Sequence, residues 1–143
     1  MRIFTIGYEA TTMGEFLAAL KAAGVERLID VRAVPLSRRP GFSKNILAAS
    51  LRDAGIEYVH LKNLGTPKPG RDAAKKGDVK TLRAVYDNQL GLPEAQAEAA
   101  QMRALAEEKP SALLCFERNP EHCHRTLLLA AEAPDAEVVD LFP

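Results

Sequence analysis

Short apolar runs alternate with longer stretches in which apolar residues recur every three or four positions, and this rhythm repeats to the end of the chain. Arg2-Ile-Phe-Thr-Ile6 is a β-rich run that Gly7 and Tyr8 end. Thr12 and Glu15 have the spacing of a capping box, so a helix follows with Phe16, Leu17, Leu20 and Ala23 on one face and Gly24 as its stop. Leu28-Ile-Asp-Val31 reads as a buried strand, apolar apart from Asp30. Two prolines and a glycine between Val34 and Gly41 require a loop, after which Ser43 is placed to cap a helix carrying Ile46, Leu47, Leu51 and Ala54.

Ile56 to Leu61 is the third predicted strand, followed by a basic loop rich in Gly and Pro from Lys62 to Gly77. Helices are predicted around Leu82, Val85 and Tyr86 and again from Pro93 to Lys109, with Met102 and Leu105 inward. Ser111 to Cys115 is the fourth strand, Asn119-Pro120 opens a helix running to about Glu132, and Val138 to Leu141 is the fifth strand. Strands alternating with helices in this way predict an α/β fold: a three-layer sandwich around a mostly parallel sheet of about five strands, Rossmann-like or flavodoxin-like. Ligands of such sheets bind outside the carboxyl ends of the strands, where strand order reverses.

A length of 143 residues and an apolar share of 47% predict one domain with a core that needs no disulfide staples. No apolar run approaches the roughly 18 residues of a membrane span, and the strand-like start is unlike a signal peptide. A cytoplasmic protein with free thiols is therefore expected, with no membrane partner. The seven residues between Cys115 and Cys123 do not give the tight spacing of redox dithiols. Net charge is zero but uneven: residues 27 to 83 carry 13 Lys/Arg against 5 Asp/Glu, and residues 86 to 143 carry 4 against 11. This fits either solvated faces or a basic surface for a phosphate-bearing partner.

Chemistry gathers at the predicted strand ends. These supply Gly7 and Tyr8, Asp30 and Arg32, His60, then Cys115, Glu117 and Arg118, with Cys123, His124 and Arg125 on the following helix. Asp30, Glu117, Cys115, Cys123 and His124 are the candidate catalytic groups; Gly7, Tyr8, Arg32, Arg38, His60, Arg118 and Arg125 are the candidate substrate-binding ones. Each has a plain structural alternative. Cys115 can be a small buried hydrophobe, Cys123 can pack on Leu127, Glu117 can pair with Arg125, and His60 can be a satisfied edge histidine. Asp30 must find a partner among Arg32, Arg38 and Arg125 if it is buried. At about 100° per helical residue, Cys123, His124 and Arg125 diverge unless their helix begins later than Asn119-Pro120 suggests. Arg32, Arg38, Arg39 and Lys44 around the Pro/Gly loop suit an anion or mere solubility. Glycine-rich nucleotide loops and zinc-finger spacings are missing from the sequence, so no cofactor is named and no residue is assigned to a structural metal.

Several stretches together resemble a known family. Thr5-Ile-Gly-Tyr8, Ile29-Asp-Val-Arg32 with Pro35 and Ser37-Arg38, Tyr58-Val-His-Leu61 with Leu64-Gly-Thr-Pro67, and Cys115-Phe-Glu117 with Cys123-His-Arg125 are similar to the prokaryotic family catalogued as domain of unknown function 488. The resemblance implies a small α/β domain and a shared polar motif set at Gly7, Asp30, Arg32, Arg38, Gly65, Cys115, Glu117, Cys123, His124 and Arg125, with no established reaction.

Three functions compete on these residues. The first is an enzyme acting on a phosphate-containing or other anionic substrate, a nucleotide or nucleic acid among them. The second is a metal site drawn from Cys115, Cys123, His124, Glu117 and His60. The third is a non-enzymatic nucleic-acid-binding or regulatory module on the basic region, though 6% aromatics and no Trp supply a base-stacking platform poorly.

Overall fold

The structure is a computed structural model that describes residues 1–143, the side chain of His122 excepted. Five strands, β1 (Arg2–Gly7), β2 (Arg27–Asp30), β3 (Glu57–His60), β4 (Ser111–Cys115) and β5 (Glu137–Leu141), form one sheet in the order β3-β2-β4-β1-β5. Every pairing is parallel. Helices α1 (Met13–Ala22), α2 (Lys44–Asp53), α3 (Lys68–Lys75), α4 (Val79–Leu90), α5 (Pro93–Glu108) and α6 (His124–Glu132) complete the three layers.

Strand alternation sorts the core into two halves. Phe4, Ile6, Leu28, Ala112 and Leu114 point to one face and pack on Phe16 and Leu20 of α1 and Leu47 and Leu51 of α2. Ile3, Ile29 and Leu113 point to the other, against Tyr86 and Leu90 of α4, Met102 of α5 and Leu128 of α6. The same parity places Asp30 on the α1/α2 side with Leu28, and Cys115 on the α4/α5/α6 side with Leu113.

Local signals explain most boundaries. Thr12 and Glu15 make both capping-box bonds, Glu15 N–H to Thr12 Oγ1 at 3.1 Å and Thr12 N–H to Glu15 Oε1 at 3.0 Å. Ser43 stands at the N-cap of α2 as expected, but its hydroxyl is engaged by Ser37 across the preceding loop instead of by the helix.

Two segments differ from the sequence reading. The stretch expected to be a basic loop contains a 3-10 turn at Lys62–Leu64 and the whole of α3. Pro69 lies in the first turn of α3, where its missing N–H costs nothing, so the prolines open this helix instead of preventing it. Asn119-Pro120 opens only a 3-10 turn, Pro120–His122; the chain is extended again at Cys123 (φ −129°, ψ 148°), and α6 begins at His124.

Candidate functional site

β4 lies between β2 and β1, so the carboxyl ends of these three strands are adjacent. The chain leaves β1 toward α1 on one face and leaves β4 toward α6 on the other, which makes their shared edge the place where winding reverses. A cavity of about 620 Å³ opens there. Tyr8, Arg32, Cys115, Glu117 and His124, all candidates from the sequence, line it.

On the α1/α2 side the wall is built from Asp30. This carboxylate is fully enclosed and accepts from Arg32 Nε at 2.9 Å, Arg32 Nη2 at 2.8 Å, the Arg32 amide at 3.1 Å and the Tyr58 hydroxyl at 2.5 Å. Arg32 Nη1 donates to the Phe42 carbonyl at 2.7 Å and to Tyr8 Oη at 3.3 Å, and the guanidinium lies 5.3 Å from the Tyr8 ring centre. Burial alone would weaken the charge of Arg32, but hydrogen bonds to Asp30 and the Asp30 charge overcome it and hold the group above its ordinary pKa. Tyr58 is raised by burial and then by the same carboxylate. His60 Nε2–H donates to the Arg32 carbonyl at 2.8 Å and so orients the strand end instead of lining the cavity.

On the opposite side the wall is built from sulfur and imidazole. Cys115 and Cys123, both buried, are joined as a disulfide, so the expectation of free thiols is corrected. The late start of α6 lets the connection turn back on the end of β4 and brings the two sulfurs together. His124 Nε2–H donates to the Val31 carbonyl at 2.7 Å, which leaves the lone pair on Nδ1, 3.7 Å from Cys123 Sγ. Burial drives the His124 pKa from 6.5 down to about 4.

Arg125 is fully buried behind this wall. It donates to Cys115 Sγ at 3.5 Å and to the Arg118 carbonyl at 3.2 Å, while its Nε finds no hydrogen-bond partner among the described residues. Burial lowers its pKa against the opposing charges of Asp140 and Glu117. Gly7 is required at this crossing, because a Cβ there would lie 1.9 Å from the Glu117 carbonyl oxygen and 2.9 Å from Arg125 Nη1.

The remaining candidates separate from the cavity lining. Arg38 is exposed on its loop. Arg118 reaches the Pro143 carbonyl at 2.6 Å, and its backbone N–H donates to Glu9 at 3.0 Å.

Four polar lining residues were not among the candidates: Glu9, Thr66, Arg71 and Lys75. Arg71 and Lys75 are one turn apart on α3, and their i, i+4 spacing is the signal that a loop assignment concealed. Two close approaches seat this segment. A Cβ on Gly65 would meet the Ala33 backbone nitrogen at 2.1 Å, and one on Gly70 would meet Thr66 Cγ2 at 2.3 Å. Thr66 Oγ1 is buried with no hydrogen-bond partner among the described residues.

A family model described as "Domain of unknown function DUF488" matches residues 12–131. No curated protein and no solved structure matches the chain.

Proposed function

The chain belongs to the DUF488 family, whose description names no reaction, and we propose from the site itself that it is an enzyme acting on a phosphate-containing or other anionic substrate. The observation that carries this reading is the cavity at the winding reversal, where Arg71, Lys75 and the edge of Arg32 line the same space as Glu117. Arg71 keeps one Nη on the Thr66 carbonyl at 2.9 Å, which fixes its direction. Arg32 has most of its N–H groups committed inward, so it contributes one remaining Nη2 N–H and α3 contributes the further positive charge of Arg71 and Lys75. The Thr66 hydroxyl, without a partner among the described residues, is a further donor suited to a ligand oxygen.

Glu117 is the group placed to move a proton. It lines the cavity half-buried, at the end of β4 and beside the buried charge of Arg125. Asp30, enclosed and saturated, acts in this reading as a positioning residue that holds Arg32. Exposed Val34, Leu36 and Phe116 on the lining offer an apolar surface, which favours a substrate with a flat or apolar portion beside its anionic group, such as a nucleotide.

The test is thermal-shift and calorimetric screening of inorganic phosphate, sugar phosphates, nucleotides and short oligonucleotides, followed by Arg71→Ala, Lys75→Ala and Glu117→Gln. Both α3 variants are expected to weaken the same ligand, and Glu117→Gln to keep binding while losing turnover. A ligand that binds the α3 double variant as well as the wild type would sink the reading, as would a panel in which no anion binds.

A further inference from the structure

The geometry points to a second ligand site in the same wall: Cys115, Cys123 and His124 form a site for one thiophilic divalent cation such as Zn²⁺, closed while the two sulfurs are bonded and opened by reduction. Three donor atoms, the two Sγ and an imidazole nitrogen, lie within 4.8 Å of one another, and all three residues are buried. Thiolate and imidazole are the donor types that select zinc-like ions over magnesium or calcium.

The surroundings are those of a ligand set. The Val31 carbonyl holds Nε2–H of His124, which fixes the ring and presents the Nδ1 lone pair to the sulfurs, the usual outer support of a metal-bound imidazole. Arg125 Nη1 lies 3.5 Å from Cys115 Sγ and favours its thiolate, and Cys123 stands at the N-cap of α6, where the helix favours negative charge. The Cα atoms of the two cysteines are 7.2 Å apart, beyond the roughly 4.4–6.8 Å usual for a disulfide. Two thiolates sharing a cation suit this separation: bonds of about 2.3 Å to sulfur and 2.0–2.1 Å to nitrogen place tetrahedral donors roughly 3.6–3.8 Å apart. The Cys123 Sγ to His124 Nδ1 distance is already 3.7 Å.

Opening the site is a two-electron step. A thiol reductant delivers two electrons and two protons to the S–S bond, leaving two cysteine thiols and the oxidised, disulfide form of the reductant. A divalent cation then displaces both thiol protons. Because Cys115 and His124 line the cavity, a cation on this triad borders it, and three protein ligands leave a fourth position for water or ligand.

Cobalt(II), a visible stand-in for zinc, tests this without reference to any anionic substrate, so it can fail or succeed independently of the proposed enzyme. The full chain, reduced anaerobically with a phosphine that is then removed, is titrated with cobalt. The expected result is one ion per chain, with thiolate-to-cobalt charge-transfer bands and the intense visible bands of a four-coordinate ion, both bleached by Zn²⁺. The oxidised wild type carries the same side chains and is expected to show neither band, a control no folding defect can confound. Cys123→Ser and Cys115→Ser are each expected to lose charge-transfer intensity. Reduced wild-type protein without charge-transfer bands overturns the proposal, as do bands of undiminished intensity in both serine variants.

Discussion

Arg32 and Arg125 stand on the two faces of the same sheet edge, both almost or wholly buried, and they are held in opposite ways. Arg32 meets a buried carboxylate through two side-chain N–H groups, and its remaining contacts are a carbonyl, a phenol and a ring face. Arg125 meets a sulfur and one carbonyl, has no partner for its Nε among the described residues, and feels Asp140 and Glu117 through their charge. The pKa directions follow: Arg32 is raised despite burial, Arg125 is lowered by it. A saturated network of the first kind rigidifies an edge. The second kind leaves a buried Nε without a partner among the described residues, behind the wall that Cys115 and His124 present to the cavity.

The largest effect should come from breaking the saturated side. Asp30→Ala strands the Arg32 charge in a nearly closed site, and a loss of about 3–5 kcal/mol is expected in urea unfolding. A loss under about 1 kcal/mol would show that the network does not hold the edge. The sulfur side should instead show itself in pH. His124 is neutral in both folded and unfolded states above its ordinary pKa of 6.5, so stability there does not depend on it. As pH falls, the unfolded chain takes up the proton first. Stability of the metal-free protein should fall between pH 6.5 and about 4 and then level off, for a total of about 3 kcal/mol. His124→Asn should flatten the slope from pH 6.5 down to about 5.5, before the unfolded chain begins to protonate the lowered carboxylates Glu15, Glu57, Asp72, Asp78 and Asp135, whose ordinary values are 3.8 to 4.5. An unchanged slope assigns it to other groups.

A smaller effect is expected where the chain crosses itself. The Cβ of Gly7→Ala meets a backbone oxygen, so the loop after β4 must move, at about 1–3 kcal/mol in thermal or urea unfolding. Since that loop carries Glu117, the variant should also weaken whatever ligand the cavity binds. Unaltered binding would separate the crossing from the site.

The fold was legible because strand and helix periods differ so clearly in this chain. Residues such as Ile3 and Phe4 alternate by two while Phe16 and Leu20 recur by four. Strand parity also assigns Asp30 and Cys115 to opposite faces once the strands are known. Pairing of Asp30 with Arg32 was among three options the residues allowed; only tertiary placement, which leaves Arg38 exposed and Arg125 behind the sulfurs, selects it. Two things had no local signature. Pro67, Pro69 and Gly70 read as breakers, although proline in a first helical turn is compatible with helix, so α3 and its Arg71 and Lys75 were hidden. Cys115 and Cys123 are eight positions apart, and their meeting depends on a 3-10 turn and one extended residue before α6, geometry that no periodicity encodes.

The sharpest version of the comparison is Arg125→Met, for which the smallest change in stability is expected. The variant loses guanidinium hydrogen bonds to the Arg118 carbonyl and, more weakly, to Cys115 Sγ, together worth about 2–3 kcal/mol, but it also removes a charge that burial penalises by a similar amount. The two contributions oppose, and unfolding free energy should change by about 1 kcal/mol or less, well below the effect at Asp30. Chemistry should move the other way. Without a guanidinium 3.5 Å from its sulfur, the Cys115 thiol of the reduced protein should ionise at higher pH, seen as a later onset of alkylation as pH is raised. If Arg125→Met instead destabilises as strongly as Asp30→Ala and leaves the alkylation profile unchanged, the two arginines do the same structural work and the contrast between the two walls is wrong.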